Sequence, residues 1–261
     1  MSEAVRVARN GAIFEVTLDR PKANAIDVPT SQRMGEAFVE FRDDPKYRVA
    51  IITGGGEKFF CAGWDLKTAA KEGEPPDAYY GTGGFGGLQE LVGLNKPVIA
   101  ALNGMAVGGG FELALSADII VAAEHVTFAL PEIRAGTLAD AATLKLPRRI
   151  PYHIAMDMLF TGRFMDSKEA KHYGLVSEVV PTGKHMTRAR EIAQLLADGP
   201  PLVFAAIKEV ARETEGMPFQ QAMAVVNRRK LKTVDVLYAS EDQIEGPRAF
   251  AEKRKPVWKG R

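Results

Sequence analysis

Two glutamates carry the chemistry that this sequence can support. Glu112 follows the run Gly108–Gly110, and Glu132 lies in the segment FALPEIRAG, just after a β-like run. Paired carboxyl groups perform general acid–base catalysis when their surroundings separate their pKa values. In the structural alternative, Glu112 caps the start of a helix and Glu132 is a loop residue. Spacing alone leaves both interpretations open.

Small residues at two sharp turns predict main-chain hydrogen-bond donors near these carboxylates. Ala62–Gly63 and Gly108–Gly110 each follow a short apolar run that is typical of a buried strand. Small residues let a ligand approach backbone N–H groups closely. The second turn also opens a helix, whose first N–H groups have no partner within the helix. Two such turns can jointly hold a developing oxyanion.

Several other motifs favour a structural interpretation. Gly81–Gly86 matches G-x-G-x-x-G, but the preceding EPPDAYY cannot be a central strand, so a flexible loop is favoured over a nucleotide site. The four histidines show no metal-ligand spacing. Cys61 is interpreted as a small buried residue rather than a nucleophile. The basic clusters Asn227–Lys232 and Glu252–Arg261 are either solvated faces or contacts for ligand phosphates.

Composition excludes several classes of protein. The net charge is +1, which argues against nucleic acid or an anionic membrane as partner. A single cysteine excludes an intrachain disulfide, and no apolar run is long enough to span a bilayer. Because the N-terminal stretch lacks a signal pattern, we expect a cytoplasmic protein.

Strands that alternate with helices predict an α/β fold. Gly199–Pro201 marks a boundary between residues 1–198 and a helical region at 199–261. In this second region we expect helix over Leu202–Val234 and a polar tail beyond it. Lys71–Gly87, rich in Gly and Pro, is expected to be a long functional or mobile loop. The remaining expected strands lie in AIFEVTLD, YRVAIITGGG, KPVIAALNG, ADIIVAAEH and GLVSEVVP, and the helices in VPTSQRMGEAFVEFRDD, FELALS, PYHIAMDMLFTG, DSKEAKHYG and MTRAREIAQLLADGP.

Three segments, in order, resemble the enoyl-CoA hydratase/isomerase (crotonase) superfamily: FCAGWDL, KPVIAALNGMAVGGGFELALSADI and FALPEIRAG. RPKANAID before them and LFTGRFMDSKEAKHYGLVSEVV after them extend the resemblance over essentially the whole chain. The resemblance implies a spiral of ββα units, followed by C-terminal helices that build a trimer or two stacked trimers. It also implies an acyl-CoA substrate and no metal or redox cofactor.

The resemblance further assigns roles to individual residues. It implies that the N–H groups of Ala62 and Gly109 form the oxyanion hole for the thioester, and that Glu112 and Glu132 handle water and the α-proton. The presence of both glutamates favours hydration and dehydration over double-bond isomerisation. Implied CoA contacts are Lys22, Ala23, Ala25, Asp65, Leu66 and Lys253. Candidates for the acyl pocket are Trp64, Phe85 and Asp140.

The segment AGTLADAATLKLP departs from the family pattern. Ala139 stands where hydratases of the family usually have proline, and Ala141–Ala142 stand in place of a Gly-Gly pair. Because this segment lines the acyl pocket in the family, the acyl group stays open. The predicted function is reversible hydration of a CoA thioester. The alternatives are a general 2-enoyl-CoA hydratase/isomerase and a non-catalytic acyl-CoA-binding oligomer.

Overall fold

Short apolar runs form the strands of two sheets in the computed structural model, which describes residues 4–73, 75 and 78–261. One sheet has the strand order β1-β2-β3-β5-β7-β10 and the other has the order β4-β6-β8-β9. The strands are β1 Val5–Asn10, β2 Ile13–Leu18, β3 Val49–Gly54, β4 Phe59–Cys61, β5 Val98–Leu102, β6 Met105–Val107, β7 Ile119–Ala123, β8 Thr127–Ala129, β9 Met165–Asp166 and β10 Glu178–Val180.

Helices follow the strands and dominate the last third of the chain. The first helix begins after Asp27, whose carboxylate accepts a hydrogen bond from the Thr30 N–H. The helices are α1 Val28–Asp43, α2 Leu66–Glu72, α3 Gly109–Leu115, α4 Glu132–Ala135, α5 Asp140–Lys145, α6 Tyr152–Thr161, α7 Ser167–His172, α8 His185–Ala197, α9 Pro201–Glu213, α10 Phe219–Asn227, α11 Lys232–Tyr238 and α12 Glu241–Ala251.

Three successive ββα units wind the chain between the two sheets. They are β3-β4-α2, β5-β6-α3 and β7-β8-α4, and each gives one strand to each sheet and then a helix. This architecture confirms the predicted α/β spiral. The larger sheet is buried on both faces: α8 covers one face with Ala189, Ala193 and Ala197, and aromatic side chains such as Phe111 and Phe128 fill the core on the other.

Parallel pairing in the smaller sheet decides where the functional turns lie. β4 pairs with β6, and β6 pairs with β8, both in parallel. Parallel neighbours end at the same edge of a sheet. The chain leaves that edge at Cys61, Val107 and Ala129, directly before the two small-residue turns and Glu132.

The C-terminal region differs from the sequence prediction. The single helix expected over Leu202–Val234 is wrong, because the chain breaks after α9, where Gly216 has a φ of +82° and Pro218 precedes α10, and again between α10 and α11. The polar tail is also wrong, since α12 forms there and buries Asp242 and Ala249. The division between residues 198 and 199 stays a prediction.

The Gly-rich loop packs closely on α1. Ser31 Oγ donates to the Tyr80 carbonyl oxygen at 2.9 Å and accepts from the Gly86 N–H at 3.0 Å. A Cβ on Gly87 would collide with the backbone of Gly35, so glycine is required for this approach. Residues 74, 76 and 77 of the expected mobile loop lie outside the described residues.

We predict that Arg190→Met destabilises the protein at neutral pH. Glu15 is only 6 % exposed and accepts two hydrogen bonds from Arg190, at 2.7 and 2.8 Å. The hydrogen bonds from Arg190 outweigh burial and lower the pKa of Glu15, so the pair stabilises the fold above the ordinary carboxyl pKa and loses this effect as pH falls. The expected loss in the free energy of unfolding is about 1–2 kcal/mol at pH 7, shrinking in acid.

Urea denaturation at two pH values measures this effect. Arg188→Met, on the same helix, is the matched control because its carboxylate partners Glu178 and Glu191 are solvent-exposed. An equal loss in both variants, or a loss that is independent of pH, would contradict the prediction.

Candidate active site

The Gly108–Gly110 turn connects β6 to α3 at the shared edge. Gly108 has a φ of +56° and donates its N–H to the Ala129 carbonyl oxygen at 2.9 Å. The helix begins at Gly109, so the Gly109 N–H belongs to the first turn, where N–H groups have no acceptor within the helix. The turn therefore presents a main-chain donor with partial positive charge at this edge.

The turn after β4 packs directly against the turn at Gly109. A Cβ on Gly63 would lie 2.9 Å from the Gly109 nitrogen and 2.8 Å from the Val107 carbonyl oxygen. Gly63 also has a φ of +84°, which other residues rarely adopt. Glycine is required here on both counts, and the two turns lie side by side.

Ala62 is the exception among the predicted donors. Its N–H donates to the Ala23 carbonyl oxygen at 3.0 Å, within the loop that follows β2. A donor that is already paired with the main chain is not available to a ligand, so the assignment of Ala62 to the oxyanion hole is wrong. The bond has a structural role instead, since it ties the two loops together.

The residues after Ala62, from Gly63 to Asp65, pair with Ile26 through two main-chain hydrogen bonds. The Gly63 carbonyl oxygen accepts from the Ile26 N–H at 2.8 Å, and the Asp65 N–H donates to the Ile26 carbonyl oxygen at 2.9 Å. In a trans peptide the N–H points opposite to the carbonyl of the same group. The Trp64 N–H therefore points away from Ile26.

Glu112 lies on α3 and is 7 % exposed. Its Oε1 accepts from the Ala142 N–H at 2.9 Å and its Oε2 from Gln89 Nε2 at 3.5 Å. Burial raises its pKa, and the Asp140 charge adds to this, whereas both hydrogen bonds and the Lys145 charge oppose it. Because the carboxylate binds groups outside its own helix, it does not cap α3.

Glu132 begins α4 directly after β8 and its carboxylate lies over Gly108. A Cβ on Gly108 would be 2.6 Å from Glu132 Oε1, so a side chain at that position would displace the carboxylate. Glu132 Oε2 is buried and has no hydrogen-bond partner among residues 4–73, 75 and 78–261. Burial raises the pKa of Glu132 to about 7, and the nearby Glu112 charge contributes. The structure thus brings both predicted glutamates to the Gly109 turn.

Two of the predicted acyl-pocket residues adjoin this group. The Phe85 ring packs against Gly109, where a Cβ would lie 2.6 Å from Phe85 Cε1, and it meets Tyr80 edge-on at 5.2 Å between ring centres. Asp140 is exposed in the first turn of α5, close enough to Glu112 for its charge to affect that pKa. Trp64 follows the Gly63 turn and is half-buried.

Arg20 organises the loop for which CoA contacts were predicted. Its guanidinium donates to Asp65 Oδ2 at 2.6 Å, to Asp27 Oδ2 at 2.8 Å and to the Ala25 carbonyl oxygen at 2.9 Å. Although burial opposes it, hydrogen bonding to Arg20 and Thr68 holds the pKa of Asp65 at about 2. The carboxylate of Asp65 therefore holds the loop and starts α2, while its role toward CoA stays a prediction.

The other predicted CoA contacts fall into two places. Lys22 is exposed next to Ala23, the residue that bonds to Ala62, and Leu66 begins α2 and is 56 % exposed. Lys253 follows α12, and its N–H donates to the Phe250 carbonyl oxygen at 3.2 Å. No hydrogen bond in the described part of the chain joins Lys253 to residues 22–25, so its contact with CoA stays a prediction.

Sequence reasoning missed three residues that support Glu112. Ala142 and Lys145 lie in the segment that departs from the family pattern, which was the one available signal. Gln89 has no such signal, because it lies 23 residues before Glu112 and reaches it only through the fold.

The remaining candidates carry no reactive site. Burial raises the pKa of the Cys61 thiol to about 12, and its Sγ accepts from the Gly63 N–H at 3.3 Å. Over residues 4–73, 75 and 78–261, His, Cys, Asp and Glu form no group of three suited to a metal ion. In the same residues, no helix has the length and apolarity to cross a membrane.

The fold and the paired glutamates define the class of this protein. The chain belongs to the enoyl-CoA hydratase/isomerase family, whose model matches residues 8–261. A carnitinyl-CoA dehydratase of Salmonella enteritidis is 57 % identical over 262 residues, with 100 % of both chains covered. An enoyl-CoA hydratase structure from Mycobacterium tuberculosis aligns with a TM-score of 0.89, 37 % identity and 99 % of each chain. A carnitinyl-CoA hydratase structure from Mycobacterium avium aligns with a TM-score of 0.76, 37 % identity and 100 % of each chain.

We predict that Glu112→Gln lowers the pKa of Glu132 below its wild-type value of about 7, because it removes a neighbouring negative charge. Burial is unchanged, so the pKa stays above that of an exposed glutamate. Infrared titration of protein with ¹³C-labelled glutamate carboxyl groups measures it, and Glu132→Gln identifies the band. Asp235→Asn, a change far along the chain in exposed α11, is the control. An unchanged Glu132 titration in Glu112→Gln would refute the electrostatic coupling.

Proposed function

We propose that this chain catalyses the reversible hydration of a 2-enoyl-CoA to a 3-hydroxyacyl-CoA, with crotonobetainyl-CoA and carnitinyl-CoA as the substrate pair. The observation that carries the reaction is the pair of carboxylates at the Gly109 turn, held in different surroundings. The full-length identity of 57 % to a carnitinyl-CoA dehydratase supports the acyl group.

The thioester oxygen lies between the two turns and accepts hydrogen bonds from the Gly109 and Trp64 N–H groups. We assign this role to Trp64 on the direction of its peptide group, because the Gly63 carbonyl oxygen faces Ile26 and the Trp64 N–H therefore points away from that loop. Main-chain donors fixed in a site closed to water stabilise the enolate, contributing about 3–4 kcal/mol per donor to the transition state.

The two glutamates then divide the proton transfers. The Glu112 carboxylate takes a proton from water, whose oxygen bonds to C3 while the C2–C3 π electrons move toward the thioester. Protonated Glu132 gives its proton to C2. Glu112 has hydrogen-bond donors that favour its ionised form, whereas Glu132 Oε2 has none, which supports this assignment. Hydration ends with Glu112 protonated and Glu132 ionised, and dehydration starts from that state.

Both directions therefore use a pair that holds one proton in total. Hydration consumes and releases no net proton, so its equilibrium constant is independent of pH. The pH profiles of kcat/KM must then have the same shape in both directions, with limbs that belong to the coupled pair.

A positively charged acyl group places special demands on the pocket. In crotonobetainyl-CoA the trimethylammonium is attached to C4, next to the carbon that water attacks. A carboxylate and an aromatic face are the groups that recognise such a cation. Asp140, in the helix whose Ala142 N–H binds Glu112, and the Phe85 ring on Gly109 meet this demand.

The C-terminal helices support the further proposal that the protein self-associates, as a trimer or a dimer of trimers. They leave large apolar side chains in solvent, including Phe219 at 72 % and Phe250 at 87 % exposure. Large apolar side chains at this level of exposure are candidates for burial against a partner. A second copy of the chain is the partner that we propose.

A general 2-enoyl-CoA hydratase is the second candidate function. The solved structures from M. tuberculosis and Bacillus anthracis that align with this chain are named enoyl-CoA hydratases, with TM-scores of 0.89 and 0.87. This reaction uses the same two glutamates, so only the acyl group distinguishes the two candidates.

We predict that Glu112→Gln and Glu132→Gln each reduce kcat at least about a hundredfold, because each removes one proton-transfer group. Loss of the conjugated enoyl-thioester absorbance measures hydration. Gln preserves the shape of the side chain, so binding of the product CoA thioester is expected to stay near the wild-type value. A rate close to wild type in either variant would contradict the two-glutamate mechanism.

We predict that Asp140→Asn raises KM about tenfold for crotonobetainyl-CoA, because an ammonium–carboxylate attraction is lost. The uncharged analogue 5,5-dimethylhex-2-enoyl-CoA, in which carbon replaces the nitrogen, is expected to be unaffected in KM. Asp235→Asn serves as the control variant. Equal changes for both substrates would refute the charge recognition by Asp140. A wild-type preference for the uncharged analogue would favour the general hydratase.

A further inference from the structure

Lys145 is a half-buried cation near Glu112, and neither of its hydrogen-bond partners given below is a glutamate of the candidate site. Its Nζ donates to Ser116 Oγ at 2.7 Å and to the Gln89 carbonyl oxygen at 3.3 Å. Burial lowers the pKa of Lys145, and the Glu112 charge works against that decrease. An ammonium group removed from water is costly unless partners compensate for it, so its placement here calls for a role.

Both partners of Lys145 also hold Glu112. Ser116 Oγ donates to the Glu112 carbonyl oxygen at 2.9 Å, and Gln89 Nε2 donates to Glu112 Oε2 at 3.5 Å. The other carboxylate oxygen accepts from Ala142, one turn before Lys145 on α5. One short helix therefore fixes Glu112 twice, once directly and once through the Lys145 contacts.

The charges around Glu112 have opposite effects on its ionisation. Asp140 disfavours its ionised form, and Glu132 shares the same site, whereas Lys145 favours ionisation. Around Lys145 itself, Glu112 and Glu90 favour the ammonium form and Arg149 disfavours it. Lys145 is thus the cation that offsets two carboxylates beside Glu112.

We propose that Lys145 is a positioning residue: it holds Ser116 and the main chain of Gln89, which contact the Glu112 carbonyl oxygen and carboxylate, and its charge keeps Glu112 ionised as the base that activates water. This inference rests on the proposed function for its kinetic consequence. The structural contacts are independent of the substrate.

The test compares Lys145→Met, Lys145→Gln and Lys145→Arg in the full-length protein. Methionine removes the charge and the hydrogen bonds, glutamine keeps a donor without the charge, and arginine keeps the charge. Lys168→Met, at an exposed position on α7, is the control. Two readouts are used: the pH profile of kcat/KM for hydration, and infrared titration of ¹³C-labelled Glu112, identified through Glu112→Gln.

Loss of the charge is expected to move the acid limb of the profile upward on the order of one pH unit, with the Glu112 band shifting in the same direction. We expect Lys145→Gln to shift the acid limb as far as Lys145→Met does. Lys145→Arg keeps the charge, so its acid limb is expected at the wild-type pH. The alkaline limb moves less, so the profile narrows.

Two results would overturn the proposal: an acid limb that does not move in Lys145→Gln, or an unchanged Glu112 band. If Lys145→Met does not fold, Lys145→Gln and Lys145→Arg decide between these outcomes. If the wild-type protein hydrates no enoyl-CoA, the proposed function fails, and the infrared titration still tests the effect of Lys145 on Glu112.

Discussion

Parallel pairing of three short strands is the constraint on which the rest of the structure depends. β4, β6 and β8 have only three residues each, yet they are neighbours in one sheet and end at one edge. That edge receives the Gly63 turn, the Gly109 turn and Glu132 from chain segments far apart in sequence. A change in strand order would separate the donors from the acid and leave no site, whatever the side chains. The ββα unit occurs three times in succession, and each copy brings the end of one short strand to the same edge.

Close backbone contact is the second requirement, and it explains the glycines. Gly63 touches the Gly109 nitrogen, Gly108 makes room for the Glu132 carboxylate, and Gly110 packs on the backbone of Cys61. The entropy that glycine loses on folding is offset here by geometry that no other residue permits. The same requirement for glycine applies at Gly87, which packs against Gly35 of α1. This contact lies outside the candidate active site. Glycines in this chain therefore serve two purposes: some bring the turns of the candidate site together, and others only allow a loop to pack against a helix.

Different surroundings give two chemically identical side chains different tasks. Glu112 is bound by Ala142 and Gln89 and supported by Lys145, all of which favour the carboxylate. Glu132 has a buried oxygen that accepts from no donor in the part of the chain that the structure describes, which favours the acid. The difference between the ionisation preferences of the two carboxyl groups is electrostatic, and the groups that cause it are not the reacting atoms. The segment that departs from the family pattern supplies part of this difference, because Ala142 and Lys145 both lie on α5.

The sequence by itself determined the family, the α/β class, both glutamates and Gly109, because residue type and local spacing carry those signals. Periodicity also located the strands β2, β3, β5, β7 and β10 and the helices α1, α3, α6, α7 and α8, but not the short strands β4 and β6 or the helices α2, α4 and α5. Only the tertiary structure decided that Ala62 bonds to Ala23, that Gln89 reaches Glu112 across 23 residues, and that α12 forms beyond the expected helix. The physical reason is that the direction of a main-chain N–H and the partner of a polar side chain depend on contacts between distant segments. Such contacts leave no mark on residue type, so the two glutamates could be predicted from the sequence, but the groups that surround them could not.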